Sequence, residues 1–509
     1  MKLSELIAGA NVRMIAGDPE VEITGISYDS REVQQGHLFF AMARDGARRR
    51  ANLDDALSRG AHAVVVDGSG ERPVVNVPAG HPAGTLIDAP RPRLVMGLAA
   101  ARFFGTPSER VKLVGITGTS GKTTTTYLLR SIFEAAGRPS GIIGTIGIFL
   151  RDEKVYHGLT TPESVDFERA LARMEREGVR DAFAEVSSIG IAEGRIDALN
   201  FAAAIFTNLG RDHLDYHGNL ENYFAAKLRL FTEILPKSSC RDAFAVVNGD
   251  DPYGRRILAE AKVRTISFGL DHSNDVHPIR VETGINGIRG TISAMGREIA
   301  IDSPMLGEFY LRNILGASAL SAASGIDVVA VAVGVNRCSG APGRMEAVAV
   351  HDGITVLVDY AHKPDALEAV LATLRPLTAA RLICVFGCGG DRDRGKRPVM
   401  GEIAARRANL AILTSDNPRT EDPWKIIAEV EAGLKNAGLT RIEPARGNDS
   451  HGYIVEPDRR GAIAIALGLA RDGDVIVVAG KGHEDYQLVG DKVLHFDDRE
   501  VVRELAAQT

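Results

Sequence analysis

The feature that most restricts the fold lies between Val111 and Gly137. Val111-Lys112-Leu113-Val114-Gly115-Ile116-Thr117 is a mostly apolar run of strand length. Gly118-Thr119-Ser120-Gly121-Lys122-Thr123-Thr124 is a glycine-rich turn, after which Leu128, Leu129, Ile132, Phe133 and Ala136 recur on one helical face up to Gly137. A strand that feeds a helix through such a turn belongs in a parallel sheet covered by helices. Glycines let backbone amides turn toward an anion, and the helix N-terminus adds positive potential. Lys122 has the reach for terminal phosphates and Thr123 can hold Mg2+. Residues Gly118 to Thr124 are therefore predicted to bind a nucleotide's phosphates. The generic pattern asks for glycine five places before Gly121, where this chain has Ile116. The match is partial, and its alternative is an ordinary glycine turn.

A chain of 509 residues is too long for one core and predicts roughly three domains at ~100–200 residues each. Short alternating strands and helices, with a buried-strand run at Ala63-Val64-Val65-Val66 and Pro/Gly punctuation from Pro73 to Pro92, mark a small leading domain. The Gly340-Ala341-Pro342-Gly343 cluster marks a second boundary. Beyond it Ile354–Val358, Leu382–Phe386, Leu410–Leu413 and Val475–Val478 alternate with helix-length segments. The predicted architecture is α/β in three domains. A small N-terminal α/β domain spans 1–97, a central P-loop-type ATPase domain with a parallel sheet spans 98–338, and a C-terminal Rossmann-like α/β domain spans 339–509.

Sixty basic and 66 acidic residues without a long basic run argue against nucleic acid as a partner. Glu5 and Asn11 interrupt the start of the chain, and no apolar run approaches the ~18 residues needed to span a bilayer, which predicts a cytoplasmic protein with no membrane insertion. Four scattered cysteines, Cys240, Cys338, Cys384 and Cys388, read as reduced thiols; Cys384 and Cys388 have no second Cys/His pair at metal-site spacing.

Nucleotide phosphates need hard ligands for Mg2+ at strand ends facing the loop. Phe183-Ala184-Glu185-Val186 delivers Glu185, and Ala204-Ile205-Phe206-Thr207 is followed by Asn208, Asp212 and His213. Taken alone, Glu185 or His213 is as readily a structural or surface group. Several longer runs, however, resemble the Mur ligases of peptidoglycan synthesis. These are Gly118–Thr124, Glu185-Val186-Ser187-Ser188, Thr207-Asn208-Leu209, Arg211-Asp212-His213-Leu214-Asp215-Tyr216-His217-Gly218 and Tyr223-Phe224-Ala225-Ala226-Lys227.

By spacing Lys227 is only a lysine on an amphipathic helix, with a solvated position as the default. The resemblance implies that CO2 converts it to a carbamate, a carboxylate able to coordinate a second Mg2+ beside His213, while Glu185 and Thr123 serve the nucleotide-bound ion. It implies catalytic roles for Lys122, Lys227, His213 and Glu185. The implied reaction is phosphoryl transfer from ATP to a substrate carboxylate, giving an acyl phosphate that an amine attacks. Asn313, Arg344 and Asp359 match positions near the nucleotide. Ser30, Thr160, Thr161, Ser187, Glu193 and Arg195 match positions for UDP-N-acetylmuramoyl-L-alanyl-D-glutamate, turn capping being the alternative for Ser30 and Thr160. The first domain is accordingly expected to bind the UDP-sugar.

Four polar runs follow the C-terminal strands: Asp359-Tyr360-Ala361-His362, Gly387 to Lys396, Asp416-Asn417-Pro418-Arg419 and Gly480-Lys481-Gly482-His483-Glu484. In open α/β sheets ligands bind beyond the carboxyl ends of strands, so these four define a candidate pocket. Asp416 to Arg419 resembles the signature of relatives that add meso-diaminopimelate. Arg419 offers a planar fork for a carboxylate, and Asp416 and Glu484 can accept from an ammonium. Lysine, lacking the distal carboxylate, would leave Arg419 unpaired at a cost of roughly 1–3 kcal/mol. Arg392, Asn417, Pro418 and Gly480 complete the implied set, and the C-terminal domain is expected to bind the amino acid. The protein is expected to be a monomer.

The chain departs from the family at Ser120 for asparagine, Ile189 for histidine, Glu193 for a glutamine, Tyr310 for asparagine and Lys363 for threonine. Arg48-Arg49-Arg50 replaces a glycine- and histidine-containing loop near the uridine. Sister activities are a lysine-adding ligase and a folate polyglutamate ligase, both disfavoured by Asp416 to Arg419. A non-catalytic nucleotide-binding paralogue is disfavoured by retention of Lys122, Glu185, His213 and Lys227.

Overall fold

The computed structural model of the protein describes residues 1–43, 45–67, 84–150, 153–156, 158–351, 353–444 and 451–507. The punctuation predicted from Pro73 lies, up to residue 83, outside the described residues. Two compact units emerge. The first comprises Met1–Pro278, Ser293–Glu298 and Arg312–Gly334; the second comprises Ile279–Ile292, Ile299–Leu311 and Val335–Thr509.

In the first unit, a five-stranded leading sheet runs Arg13–Ala16, Thr85–Ala89, Ala63–Asp67, His37–Phe40, Gly25–Ser27, with only the Arg13–Ala16 edge antiparallel. Val64, Val65 and Val66 are buried, as an apolar run without alternation requires when both sheet faces are covered. Helix Pro92–Phe103 lays Val95, Met96, Ala99 and Ala100 on this core, together with Val165 of helix Ser164–Arg176. The two helices approach closely enough that a Cβ on Gly97 would meet Ser164 and Ala198 side chains.

The second sheet of this unit centres on Lys112–Thr117. Asp181–Glu185 pairs parallel on one side and Phe201–Phe206 on the other, with Ser140–Gly144, Phe244–Asn248 and Arg264–Phe268 continuing outward, also parallel. The predicted parallel sheet is corrected at one edge, where Gly147–Leu150 and Glu153–Tyr156 turn back antiparallel. These short strands, joined by a tight turn, carry no helix-length spacer for the sequence pattern to register.

The second unit holds a six-stranded sheet in the order Glu346–His351, Ile354–Asp359, Val475–Ala479, Leu382–Phe386, Leu410–Leu413, Gly452–Val455. All its pairings are parallel except that of the Glu346–His351 edge. The four runs read from the sequence are its central strands, with Ile354–Asp359 and Val475–Ala479 each one residue longer than expected. Both edge strands escaped the sequence reading: Glu346–His351 opens and closes on polar residues, and Gly452–Val455, though buried, has four residues and opens on glycine. Among the described residues no helix is long and apolar enough to cross a membrane. The four cysteines are free, and burial pushes the thiols of Cys384 and Cys388 up to about 12, holding them protonated.

Beneath the second unit's sheet ends lies an ion pair with both side chains fully buried. Arg459 donates to both carboxylate oxygens of Asp498 at 2.7 Å, to the Ala479 carbonyl at 3.0 Å and to the Ser415 carbonyl at 3.4 Å. Removing one partner strands the other charge in a low dielectric. Arg459→Met is therefore expected to lower unfolding free energy in urea by about 3–5 kcal/mol. An unchanged denaturation midpoint would refute this role.

Candidate active site

The two strands flanking Lys112–Thr117 deliver polar groups beside the phosphate loop, because parallel strands end together. Glu185 is in register with Ile116, and Thr207 and Asn208 directly follow Phe206. Gly118 has φ +151° and Gly121 φ +86°. A Cβ on Gly118 would fall 1.9 Å from Thr207 Oγ1, and one on Gly121 would fall 2.4 Å from Asn313 Oδ1. These approaches demand glycine. Thr207 Oγ1 donates to the Ser120 carbonyl at 2.6 Å. The Asn208 side chain accepts from Ser120 N–H at 2.9 Å and donates to the Ser120 carbonyl at 3.1 Å, and its carbonyl accepts from Thr119 N–H. Asn208, considered above near the metal, is thus a brace for the loop. Thr119 Oγ1 meets Tyr223 Oη at 3.1 Å, while Thr123 and Thr124 are buried in the first turn of helix Lys122–Ala135.

Lys122 Nζ folds back onto the carbonyls of Gly118 and Thr119, at 2.8 and 2.9 Å. Lys227, on helix Leu220–Arg229, is not solvated as its spacing suggested. It is 1% exposed, its Nζ donates to the same Gly118 carbonyl at 3.0 Å, and it lies 4.6 Å from the Tyr223 ring centroid. Burial first, and the nearby Lys122 charge second, pull the Lys227 pKa well below the ordinary lysine range. Periodicity could identify the helix face but not what that face meets. His213 sits in left-handed conformation at φ +53°, 3.5 Å from Asp212 and edge-on to the same Tyr223 ring at 6.2 Å. Among the described residues no three His, Cys, Asp or Glu side chains are grouped to hold a metal.

Glu185 is 1% exposed and its carboxylate accepts from Thr145 N–H at 2.9 Å and Thr145 Oγ1 at 3.0 Å, both neutral donors. Thr145, absent from the sequence reading, also meets Thr160 Oγ1 at 3.0 Å. Thr161 Oγ1 bonds the Glu185 carbonyl, the Ser187 hydroxyl and the Ser187 N–H, and Arg195 donates to the Thr161 carbonyl at 3.1 Å. Thr160, Thr161, Ser187, Arg195 and Glu185 therefore form one cluster. Glu193 meets Arg93 in a short ion pair and accepts from Tyr216 Oη at 2.7 Å, and Arg93 also reaches Glu163 at 3.1 Å. Beside them a cavity of about 390 Å3 is lined by Arg49, Arg91, Arg93, Glu193, Asp197 and Arg229, among others. Arg49 belongs to helix Gly46–Ser58. Ser30 is buried at the start of a short turn whose cap is Asp29, so Ser30 does not perform the capping considered for it.

In the second unit, Asp359 is buried and accepts from Met345 N–H at 2.7 Å, while Arg344 lies 4.9 Å from the Tyr360 ring centroid. Burial raises the Asp359 pKa against the pull of Arg344. Tyr310, the replacement for asparagine, donates its hydroxyl to the Arg344 carbonyl. Arg419, at φ +53°, donates to the Gly390 carbonyl at 2.7 Å, and Thr420 Oγ1 donates to Asp391. A Cβ on Gly390 would fall 1.9 Å from the Pro418 carbonyl. Arg392 is exposed on the neighbouring loop. Asn417 donates to Glu484 at 2.8 Å, and Gly480 donates its N–H to the Asp359 carbonyl at 3.0 Å. Arg397, fully buried and unread in the sequence, ties these loops together through Glu421, Glu429 and the Gly389 carbonyl.

The chain belongs to the Mur ligase family of ATP-dependent ligases: residues 116–321 match the Mur ligase middle domain, and 343–482 match the Mur ligase glutamate ligase domain. It is 44% identical to the UDP-N-acetylmuramoyl-L-alanyl-D-glutamate--2,6-diaminopimelate ligase of Geobacter metallireducens, covering 100% of this chain and 99% of that one. The ligase of the same description from Geobacter sulfurreducens is 42% identical, covering 98% and 97%. A solved structure of a UDP-N-acetylmuramoyl-L-alanyl-D-glutamate--2,6-diaminopimelate ligase matches with TM-score 0.71 at 33% identity, covering 100% and 99%.

Gly118→Ala should distort the loop through both its φ and the Thr207 clash. Nucleotide affinity is expected to fall about tenfold or more while the fold persists, as judged by titration calorimetry with ADP and by thermal melting. Unchanged ADP affinity would contradict this account of the loop.

Proposed function

We propose that this chain joins meso-2,6-diaminopimelate to UDP-N-acetylmuramoyl-L-alanyl-D-glutamate, using ATP and passing through an acyl phosphate, in cytoplasmic peptidoglycan precursor synthesis. The observation that carries the proposal is the convergence of Lys122 and Lys227 on one carbonyl of a phosphate loop, beside one strand that ends in Glu185 and another that leads into Thr207. Within it we assign residues 1–97 to the UDP-sugar, 98–338 to ATP and 339–509 to the amino acid. The protein acts as a monomer.

Glu185 supports a cation site. Its buried carboxylate has no ion-pair partner among the described residues, and a carboxylate in that setting calls for a compensating positive charge. With the Thr123 hydroxyl it offers the oxygen donors that Mg2+ prefers, leaving positions for phosphate oxygens and water. The bound ion supplies charge neutralisation on the phosphates. Lys122 leaves the Gly118 and Thr119 carbonyls to meet the terminal phosphate. Burial first, and then the neighbouring Lys122 ammonium, disfavour the charged form of Lys227, which is thus poised to lose its proton. Its neutral amine bonds the carbon of CO2 and releases a proton, forming a carbamate that is attracted to Lys122 and, with His213, suits a second Mg2+.

Asn313, packed against Gly121, is assigned to the nucleotide, as are Arg344 and Asp359 by the family resemblance. Thr160, Thr161, Ser187 and Arg195 orient the dipeptide carboxylate, and Ser30 and Glu193 serve the nucleotide-sugar. The arginine-rich cavity beside Arg49 and Arg93 suits a diphosphate. Arg419 pairs with the distal carboxylate of diaminopimelate and Asp416 and Glu484 with its ammonium, while Arg392, Asn417, Pro418 and Gly480 shape the pocket.

Incubation of the protein with Mg-ATP and UDP-N-acetylmuramoyl-dipeptide should release phosphate only when meso-diaminopimelate is added, with the tripeptide product seen by mass spectrometry; lysine should substitute poorly. Phosphate release independent of any amino acid would refute the assignment. Lys227→Ala is expected to lower kcat about 100-fold or more, with part of the rate returned by formate or acetate acting as a free carboxylate. If that variant retains full rate, Lys227 carries no carbamate of consequence.

A further inference from the structure

Lys481 has no part in the reading above, yet its side chain is fully buried within the amino-acid loops. Its ammonium lies 3.3 Å from Asn417 Oδ1, 3.5 Å from Glu484 Oε2 and 4.0 Å from Asp416 Oδ1, and faces the Tyr486 ring at 5.6 Å. Asn417 donates to the same Glu484 oxygen, so Lys481 and Asn417 together fix that carboxylate. Asp416 Oδ1 is buried with no hydrogen-bond partner among the described residues, an acceptor left over within these loops. Burial lowers the affinity of Lys481 for its proton, and the Asp416 carboxylate opposes that shift.

The formal charges around the pocket decide what fits it. At the inner end of the pocket Asp416 and Glu484 contribute two negative charges, Lys481 and Arg419 two positive ones, and buried Arg459 is balanced by Asp498, so the sum there is zero; Arg392 is exposed on the loop outside this group. The distal end of diaminopimelate is itself a neutral pair of ammonium and carboxylate, whereas the end of a lysine side chain is a lone ammonium. A pocket without Lys481 would carry one net negative charge and would complement lysine.

We propose that Lys481 is a positioning residue that sets amino-acid specificity. By holding Glu484 and Asn417 and offsetting one carboxylate, it tunes the pocket to a zwitterionic side-chain end and against a lone ammonium. This rests on the assignment of the loops around Asp416 and Glu484 to the amino acid. The discrimination is achieved by charge mismatch against the wrong substrate rather than by added contact to the right one.

The test measures ADP release with meso-diaminopimelate and with L-lysine for wild type, Lys481→Met, Glu484→Gln and the double variant. In Lys481→Met, KM for diaminopimelate should rise more than kcat falls, and the ratio of kcat/KM for diaminopimelate over lysine should drop about tenfold or more. Glu484→Gln, which shifts the pocket charge in the opposite direction at a half-buried position, should raise that ratio, and the double variant should return it toward wild type. A lysine that merely propped the loops would depress both substrates equally, so ratios unchanged in the single variants overturn the proposal. If Lys481→Met yields no cooperative melt, Glu484→Gln decides alone, and a ratio at or below wild type overturns it. A wild-type protein inert toward diaminopimelate would instead overturn the amino-acid assignment itself.

Discussion

The oxygen of Gly118 holds the first unit's chemistry together. It accepts from Lys122, at the start of the helix that follows the loop, and from Lys227, on a separate helix more than a hundred residues later. The carbonyl can face both because Gly118 adopts a φ that residues with a Cβ avoid, and because the space a Cβ would need is filled by Thr207. Two like charges around one acceptor form an arrangement that invites an anion. Thr207 and Asn208 then keep the loop in place from the strand beside it, so the geometry depends on the parallel register of Lys112–Thr117 with its two neighbours.

In the second unit, the same problem of fixing loops at strand ends is solved by buried arginines. Arg459 and Arg397 each neutralise buried or half-buried carboxylates and also donate to backbone carbonyls, of Ala479 and Ser415 in one case and Gly389 in the other. A guanidinium suits this task because its five donors lie in one rigid plane and can serve a carboxylate and a carbonyl at once. The polar loops are thus tied to one another through carbonyls that each guanidinium reaches.

Much of this was legible in the chain. Runs such as Val475–Val478 and Leu382–Phe386 are apolar on both faces, which leaves a buried parallel strand as the economical reading. Gly118 to Thr124 announced its turn through glycine spacing. What could not be read were partnerships. The sequence around Lys227 fixes a helix face but says nothing of the carbonyl that face meets, and the arginine at 397 has the same one-letter appearance as the exposed one at 394. Thr145 lies in a tight turn between two short strands, and its bond to Glu185 exists only through the pairing of distant segments. The edge strands Glu346–His351 and Gly452–Val455 are missed because one opens and closes on polar residues and the other, though buried, is only four residues long and opens on glycine.

The pairing of Arg93 with Glu193 joins a helix that caps the leading sheet to a residue at the end of a helix in the neighbouring domain-sized segment, all within the first unit. A glutamine at position 193 would carry no such charge and would leave Arg93 its pair with Glu163. Positions 93 and 193 are therefore coupled: a neutral residue at 93 would take from Glu193 its guanidinium partner and leave it the Tyr216 hydroxyl. A chimera that took its leading hundred residues from a relative with no cation at position 93 would carry that mismatch at its seam, even if every motif on either side were intact.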